Sequence, residues 1–282
     1  MVTSMPNHSL SFLIAAHHSE HSLPALVENI LKQAGTLYPV ELVISADDAF
    51  DYPSILPIDP RIVYAEKGLN TRPGPARTRA YDICSSTHFC LMDADDDISG
   101  NFVETVFNDL KNHQAFALRS VYVRSGEEVK RYRSNAMTFS DLIFFYGSVH
   151  TVAPVGFIKG YLDVVAEDVL ATLAVLSQVA GIKGPLHVSD AEYQINLHDE
   201  SYCSLNGAKF TDMYKDALSN AQAIANDLRD PTLGIAVERF YQTRLDMSNC
   251  YDNHLAGGGQ MGYHDFASMM SHAFQERSII IP

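Results

Sequence analysis

Short, almost unbroken apolar runs alternate with amphipathic stretches through the first two thirds of the chain. Residues 9–16 (SLSFLIAA) form one such run and open into His17-His18-Ser19-Glu20, the pattern of a central strand leading into a polar loop. Residues 23–31 have helical spacing, with Ser22 placed as a cap, Pro24 in the first turn and Gly35 closing the helix. Residues 39–45 and 61–65 predict two further strands, 76–85 a short helix and 88–92 a fourth strand. Strand, helix, strand, strand, helix, strand is the rhythm of an open α/β sheet.

Beyond this, residues 116–123 and 128–133 read as strands joined by a turn at Ser125-Gly126-Glu127, and the aromatic run 139–146 is expected in the core. Residues 152–161 read as a loop, 167–180 as a helix, and 186–189 and 193–197 as two strand pieces. From Gly207 the spacing turns helical over 206–228, 232–245 and 263–274, broken at Asp230-Pro231 and at Gly257-Gly258-Gly259-Gln260. The expected architecture is a mixed, mostly parallel sheet flanked by helices over residues 1–204, with an α-helical extension over 205–282. Packing against the sheet and homo-oligomerisation are both open roles for that extension.

Composition narrows the function classes. Of 282 residues, 46% are hydrophobic and 19% charged, an ordinary globular balance. No apolar run approaches the roughly 18 residues of a membrane span, and residues 1–10 show no secretory signal. Cys84, Cys90, Cys203 and Cys250 lack CxxC spacing and read as reduced thiols. These features lead to the expectation of a cytoplasmic protein, with peripheral membrane association left open. A net charge of −14 argues against general nucleic-acid binding.

The candidate chemistry gathers at strand ends, where open α/β sheets bind their ligands. Asp93, Asp95, Asp96 and Asp97 follow the fourth strand. Such a carboxylate cluster suits a hard cation, Mg²⁺ or Mn²⁺. Asp93 and Asp95, two apart in extended chain, can share a side. Asp47-Asp48 follows the second strand. Between the third and fourth strands, residues 67–79 carry Lys67, Arg72, Arg77 and Arg79 among Gly and Pro, leading into a helix start. Backbone donors, a helix dipole and guanidinium groups together suit a phosphate. Glu167-Asp168 stands at another helix start, where a dipole alone would also account for it. Asp93, Asp95, Asp97 and Glu104 also occupy positions 1, 3, 5 and 12 of an EF-hand-like loop, although Ile98 stands where that loop needs Gly.

Taken in order, the motifs resemble family 2 glycosyltransferases of the GT-A fold, over roughly residues 9–203. Leu91-Met92-Asp93-Ala94-Asp95-Asp96 resembles the family's Leu-x-Asp-Ala-Asp-Asp, Asp47-Asp48 its earlier acidic pair, and Gly74-Pro75-Ala76-Arg77-Thr78 its Gly-x-x-x-Ala-Arg-Asn segment. Gly156-Phe157 and Glu167-Asp168-Val169-Leu170 resemble the later Gly-Phe and Glu-Asp stretches, and His198 a later histidine. Ala15-Ala16-His17-His18 departs from the family's Pro-Thr-Tyr-Asn-like loop. The resemblance implies a metal-dependent, inverting transfer of sugar from a nucleotide-sugar donor, a UDP-sugar, to a hydroxyl acceptor on a glycan, lipid-linked or other molecule. It implies Mn²⁺ or Mg²⁺ at Asp95, with Asp93 and His198, and a nucleotide sugar contacting His17, Asp47 or Asp48, Arg72, Arg77, Asp93 and Asp96. It implies an acceptor base at Asp168, with Glu167 second. The competing expectations are a catalytically inactive nucleotide-sugar-binding module and a calcium-binding module.

Overall fold

The computed structural model describes residues 8–144, 147–181, 184–198, 207–228 and 230–278. The elements run β1 (Leu10–Ala16), α1 (Leu23–Ala34), β2 (Val40–Ala46), β3 (Ile62–Tyr64), α2 (Pro73–Ile83), β4 (His88–Asp93), β5 (Asp97–Ile98), α3 (Phe102–Asp109), β6 (Phe116–Arg124), β7 (Glu127–Arg131) and β8 (Ala136–Met137). After these come α4 (Phe139–Phe144), β9 (Thr151–Pro154), α5 (Glu167–Ala180) and β10 (Leu186–Asn196). The helices α6 (Phe210–Ser219), α7 (Ala221–Asp227), α8 (Gly234–Ala256) and α9 (Tyr263–Ser278) complete the described chain.

The strands form one sheet in the order β3-β2-β1-β4-β9-β6-β10-β5, with β7 on β6 and β8 on β10. β3, β2, β1 and β4 pair in parallel, as do β6 and β10; β9 runs antiparallel between β4 and β6. The two-residue period of the strands sorts their side chains into two cores. Leu10, Phe12 and Ile14 of β1, with Cys90 and Met92 of β4, pack against α1 and α3. Leu13, Phe89 and Leu91 point the other way, into a core built with α5 and the C-terminal helices. This two-sided burial explains why these strands read as continuous apolar runs.

The helical extension shares that second core. Tyr241 of α8 donates to the Val165 carbonyl at 2.9 Å, Arg244 donates to the Leu142 carbonyl at 3.3 Å, and Arg124 of β6 pairs with Asp265 of α9 at 2.9 Å. The expected boundary at residue 204 lies outside the described residues, as do Phe145, Tyr146 and Cys203.

Several expectations need correction. Residues 151–154, expected at the edge of a loop, are the strand β9, with Val152 and Ala153 fully buried. β10 is one strand with an irregularity between Val188 and Glu192, where two pieces were expected. Helix α2 begins at Pro73, three residues early, because Pro is tolerated where the first-turn amides lack helical partners. The segment 206–228 divides into α6 and α7, and α8 runs on to Ala256. The core expectation for Leu142, Ile143 and Phe144 holds.

Candidate active site

Because β1 and β2 are parallel and in register to Ala16 and Ala46, His17 and Asp47 leave the sheet side by side. Asp47 is 4% exposed and accepts from the Thr71 amide at 2.7 Å, from the Thr71 hydroxyl, and from Arg79 at 2.8 Å. A Cβ at Gly68 would press on the ends of that same Arg79–Asp47 pair and displace it. Asp48 accepts from the His18 amide at 2.6 Å, the Tyr52 hydroxyl at 2.8 Å and the Phe50 amide at 3.0 Å. Burial opposes its ionisation, but these donors outweigh burial and hold its carboxyl below the usual range. Both aspartates therefore brace the surrounding loops. The open positions on this side are His17 and Asn70, whose side chains meet at 2.7 Å.

The end of β4 is arranged differently. One Asp93 oxygen pairs with Arg77, and the other stands 3.7 Å from His150 Nε2. The second arm of the Arg77 guanidinium pairs with Glu167. Arg77, 8% exposed, is thus a buried bracket between β4 and α5. Burial disfavours its charge, but Asp93 and Glu167 outweigh burial and keep it protonated. Burial pushes Glu167 up to about 7; Arg77 opposes the rise and Asp168 adds to it. Arg77, expected at the nucleotide side, has both ends of its guanidinium on carboxylates.

Asp96 is buried, accepting from the Tyr193 hydroxyl at 2.7 Å and the Asn196 amide at 2.8 Å. Burial, and then Asp93 and Asp95, push its carboxyl well above the usual range. It ties β10 to the acidic turn through both of its oxygens. Asp95 faces out, 44% exposed, 2.9 Å from the 41% exposed His198. Asp97 accepts from the Asn29 side chain and the Ile98 amide, both at 2.8 Å, as a turn residue does. The calcium-loop reading fails here: Asp93 and Asp97 face different partners, and β4, a strand, precedes the turn where that motif has a helix.

Helix α5 starts from Ala166 in the left-handed conformation (φ 61°, ψ 37°). The turn sends Glu167 inward to Arg77 and leaves Asp168 partly exposed. Among the described residues, none hydrogen-bonds the Asp168 carboxylate. The segment before α5 is stitched along α2. Thr78 exchanges hydrogen bonds with Tyr161 at 2.8 Å in each direction, and Tyr81 donates to the Ile158 carbonyl at 2.8 Å. Gly74 lies so close to the Leu162 carbonyl that a Cβ would overlap it. Arg72, at φ 79° and ψ 164° in a region that favours glycine, reaches Asp163 at 3.5 Å from the start of α2.

No cluster of three His, Cys, Asp or Glu among the described residues is arranged to hold a metal. The outward Asp95–His198 pair still fits a hard cation that completes its shell with water and phosphate oxygens, as Mg²⁺ commonly does with one or two carboxylates. Clefts of about 470 and 400 Å³ open at the opposite edge of the sheet, around His113 and His187 and around His88 and Lys111. Neither is lined by an acidic residue. Asn70, His150, Tyr193 and Asn196 carried no sequence signal, since each matters only through a partner distant in the chain.

The sequence model described as Glycosyl transferase family 2 matches residues 11–170, more than half of the chain. A comparison with curated proteins returns no match. Among solved structures, residues 1–349 of S. aureus TarS in complex with UDP-GlcNAc are similar at a TM-score of 0.62 and 16% identity, over 88% of this chain and 75% of that one. The same TarS fragment in complex with UDP gives 0.52 and 15%, over 87% and 91%. The mannosyltransferase PcManGT from Pyrobaculum calidifontis, in complex with GDP-Man and Mn²⁺, gives 0.50 and 13%, over 94% and 79%. At these identities the likeness is one of fold, the GT-A arrangement.

Proposed function

The chain belongs to glycosyl transferase family 2, and from that premise we propose that it moves a sugar from a UDP-sugar to an acceptor hydroxyl, with inversion and with Mn²⁺ or Mg²⁺. The observation that carries this reading is that Arg77 ties β4 to α5 by pairing with Asp93 and Glu167, the near neighbours of two more open carboxylates. Asp95 faces out beside His198 at the end of β4, and Asp168, to which no described neighbour donates a hydrogen bond, stands at the start of α5 within the field of Arg77 and His150. The neighbours solved with UDP-GlcNAc, UDP and GDP-Man support a nucleotide-sugar donor.

In this reading His17 and Asn70 line the nucleoside side, with Asp47 and Asp48 holding the loops that carry them. Arg72 at the start of α2 exchanges Asp163 for the donor diphosphate. Asp95 and His198, with Asp93 behind them, would hold the cation, which would supply neutralising charge for the departing diphosphate. Asp168 takes the proton of the acceptor hydroxyl as its oxygen attacks the anomeric carbon. The bond from that carbon to the β-phosphate oxygen breaks, and the nucleoside diphosphate leaves with the electron pair. Glu167 is occupied by Arg77, which leaves the base role to Asp168. Residues 120–160 and the helical extension joined to them by the Arg244–Leu142 and Arg124–Asp265 contacts supply the acceptor side.

Calorimetry of UDP with and without Mn²⁺ tests the donor half. Binding that strengthens at least about tenfold with Mn²⁺ is expected. Absent binding across UDP, GDP and other nucleotides would sink it.

A further inference from the structure

Building on the function proposed above, we infer that His150 is a positioning residue for the acidic turn after β4. It holds the Asp93 carboxylate from the side opposite Arg77, and so keeps Asp95 presented to the cation and the donor diphosphate.

His150 is 1% exposed; its ring lies within reach of the Leu91 carbonyl, but neither ring nitrogen completes a well-aligned hydrogen bond among the described residues. Buried polar atoms in native folds nearly always find partners, so an orphaned imidazole calls for a reason. Its surroundings supply one. The charged groups acting on the ring are Asp93, Asp168 and Arg77, and of these Asp93 Oδ2 stands 3.7 Å from Nε2, beyond hydrogen-bond range by less than 1 Å. The ring packs on Tyr193, with centroids 4.2 Å apart. The Tyr193 hydroxyl in turn accepts from the Asp93 amide at 2.8 Å and donates to Asp96 at 2.7 Å. Arg77, His150 and Tyr193 therefore enclose Asp93 on its two oxygens and its amide. The His150 backbone is itself anchored, since its carbonyl accepts from the Leu118 amide at 2.8 Å, and the adjoining Val149 carbonyl accepts from the Thr172 hydroxyl at 2.8 Å.

An apolar side chain would fill the same buried space without orphaned nitrogens. The imidazole is accounted for if a sub-ångström approach of the β4 end closes a bond from Nε2–H to Asp93 Oδ2. With Oδ1 on Arg77 and Oδ2 on His150, Asp93 is an inward anchor. Asp95, two residues on, is then the carboxylate left facing His198.

The test uses His150→Phe, which keeps bulk without a donor, and His150→Gln, which keeps an N–H donor. Thermal melts establish folding, and calorimetry gives UDP affinity across an Mn²⁺ titration. In folded His150→Phe, Mn²⁺-dependent UDP binding is expected to weaken about tenfold, in the range typical of groups that orient a metal ligand. His150→Gln should recover most of that loss. The double variant Asp93→Asn/His150→Phe should bind no more weakly than Asp93→Asn alone, because the two act through one contact. If His150→Phe does not fold, His150→Met takes its place in the same comparison. Wild-type affinity in the apolar variants, equal loss in the Gln variant, or multiplying losses in the double variant would each overturn the inference. If the wild-type chain binds no nucleotide with Mn²⁺, the donor reading falls and this inference falls with it; if only the variant pattern fails, the donor reading stands.

Discussion

The acidic residues after β2 and those after β4 stand two strands apart on one edge of the sheet, and their chemistry diverges. Asp47 and Asp48, at 4% and 5% exposure, are saturated by donors from residues 18, 50, 52, 71 and 79. After β4, Asp93 and Asp96 are drawn inward by Arg77 and Tyr193, and Asp95 keeps 44% of its side chain in solvent. Residue type and place in the fold are the same in both clusters. The number of donors that the surrounding loops deliver is what separates a closed carboxylate from an open one, and that number is set by chain far away in sequence.

The comparison can be broken from several directions. The largest effect is expected at the open cluster's partner helix. Asp168→Asn should cut transfer by about 10²–10⁴-fold, measured by mass spectrometry with a responsive acceptor, and leave UDP affinity within about threefold. Lost transfer with lost donor binding would assign Asp168 to the donor side instead. Next comes the closed cluster: Asp47→Ala leaves Arg79 without its buried partner and should cost about 3–5 kcal/mol in urea unfolding. Asp95→Asn should change stability by no more than about 0.5 kcal/mol, because Asp95 is half exposed, while weakening Mn²⁺-dependent UDP binding about tenfold. Equal stability losses at Asp47 and Asp95 would erase the distinction.

The smallest effect is set by pH and arises away from both clusters. Burial lowers His88 and His264 to about 4. A histidine whose folded value is depressed keeps its full contribution above its unfolded value near 6.5, and loses it as pH falls toward 4. Between pH 7 and pH 5 the two histidines therefore lower stability. Glu167 and Asp96, whose carboxyls are held above their usual range, take up protons in the folded state and offset part of that loss, as melting temperatures of wild type and His88→Asn across this window should show. Asp48, whose carboxyl is held low, contributes fully in that window and loses its contribution only as the pH falls below its ordinary range. His88→Asn should flatten part of the slope.

Much of this was legible in the sequence because burial on two faces writes strands as plain apolar runs. β1, β2 and β4 and their polar ends were readable, and so was the ordered set from Asp47 to His198. β9 escaped because a four-residue strand ending in Pro154, next to Gly156, carries the marks of a loop. α3 also escaped; its eight residues follow the acidic turn without a strong start signal. The roles within the clusters were hidden for a different reason. Nothing near Asp47 in sequence announces Thr71 and Arg79, and nothing near Arg77 announces that Glu167 will claim its second arm.

The same long reach has a consequence for how the protein acquires its activity. The Arg77–Glu167 pair joins residues 90 apart in the chain, and the Asp95–His198 pair joins residues 103 apart. β10, which supplies Tyr193 and Asn196 and leads to His198, is the last strand of the sheet. Contacts of such separation form late, since loop-closure entropy must be met before they contribute. During refolding, helical signal should return before Mn²⁺-dependent UDP binding does. A chain still emerging during synthesis would hold a nearly finished sheet and no working centre until its final strand has docked.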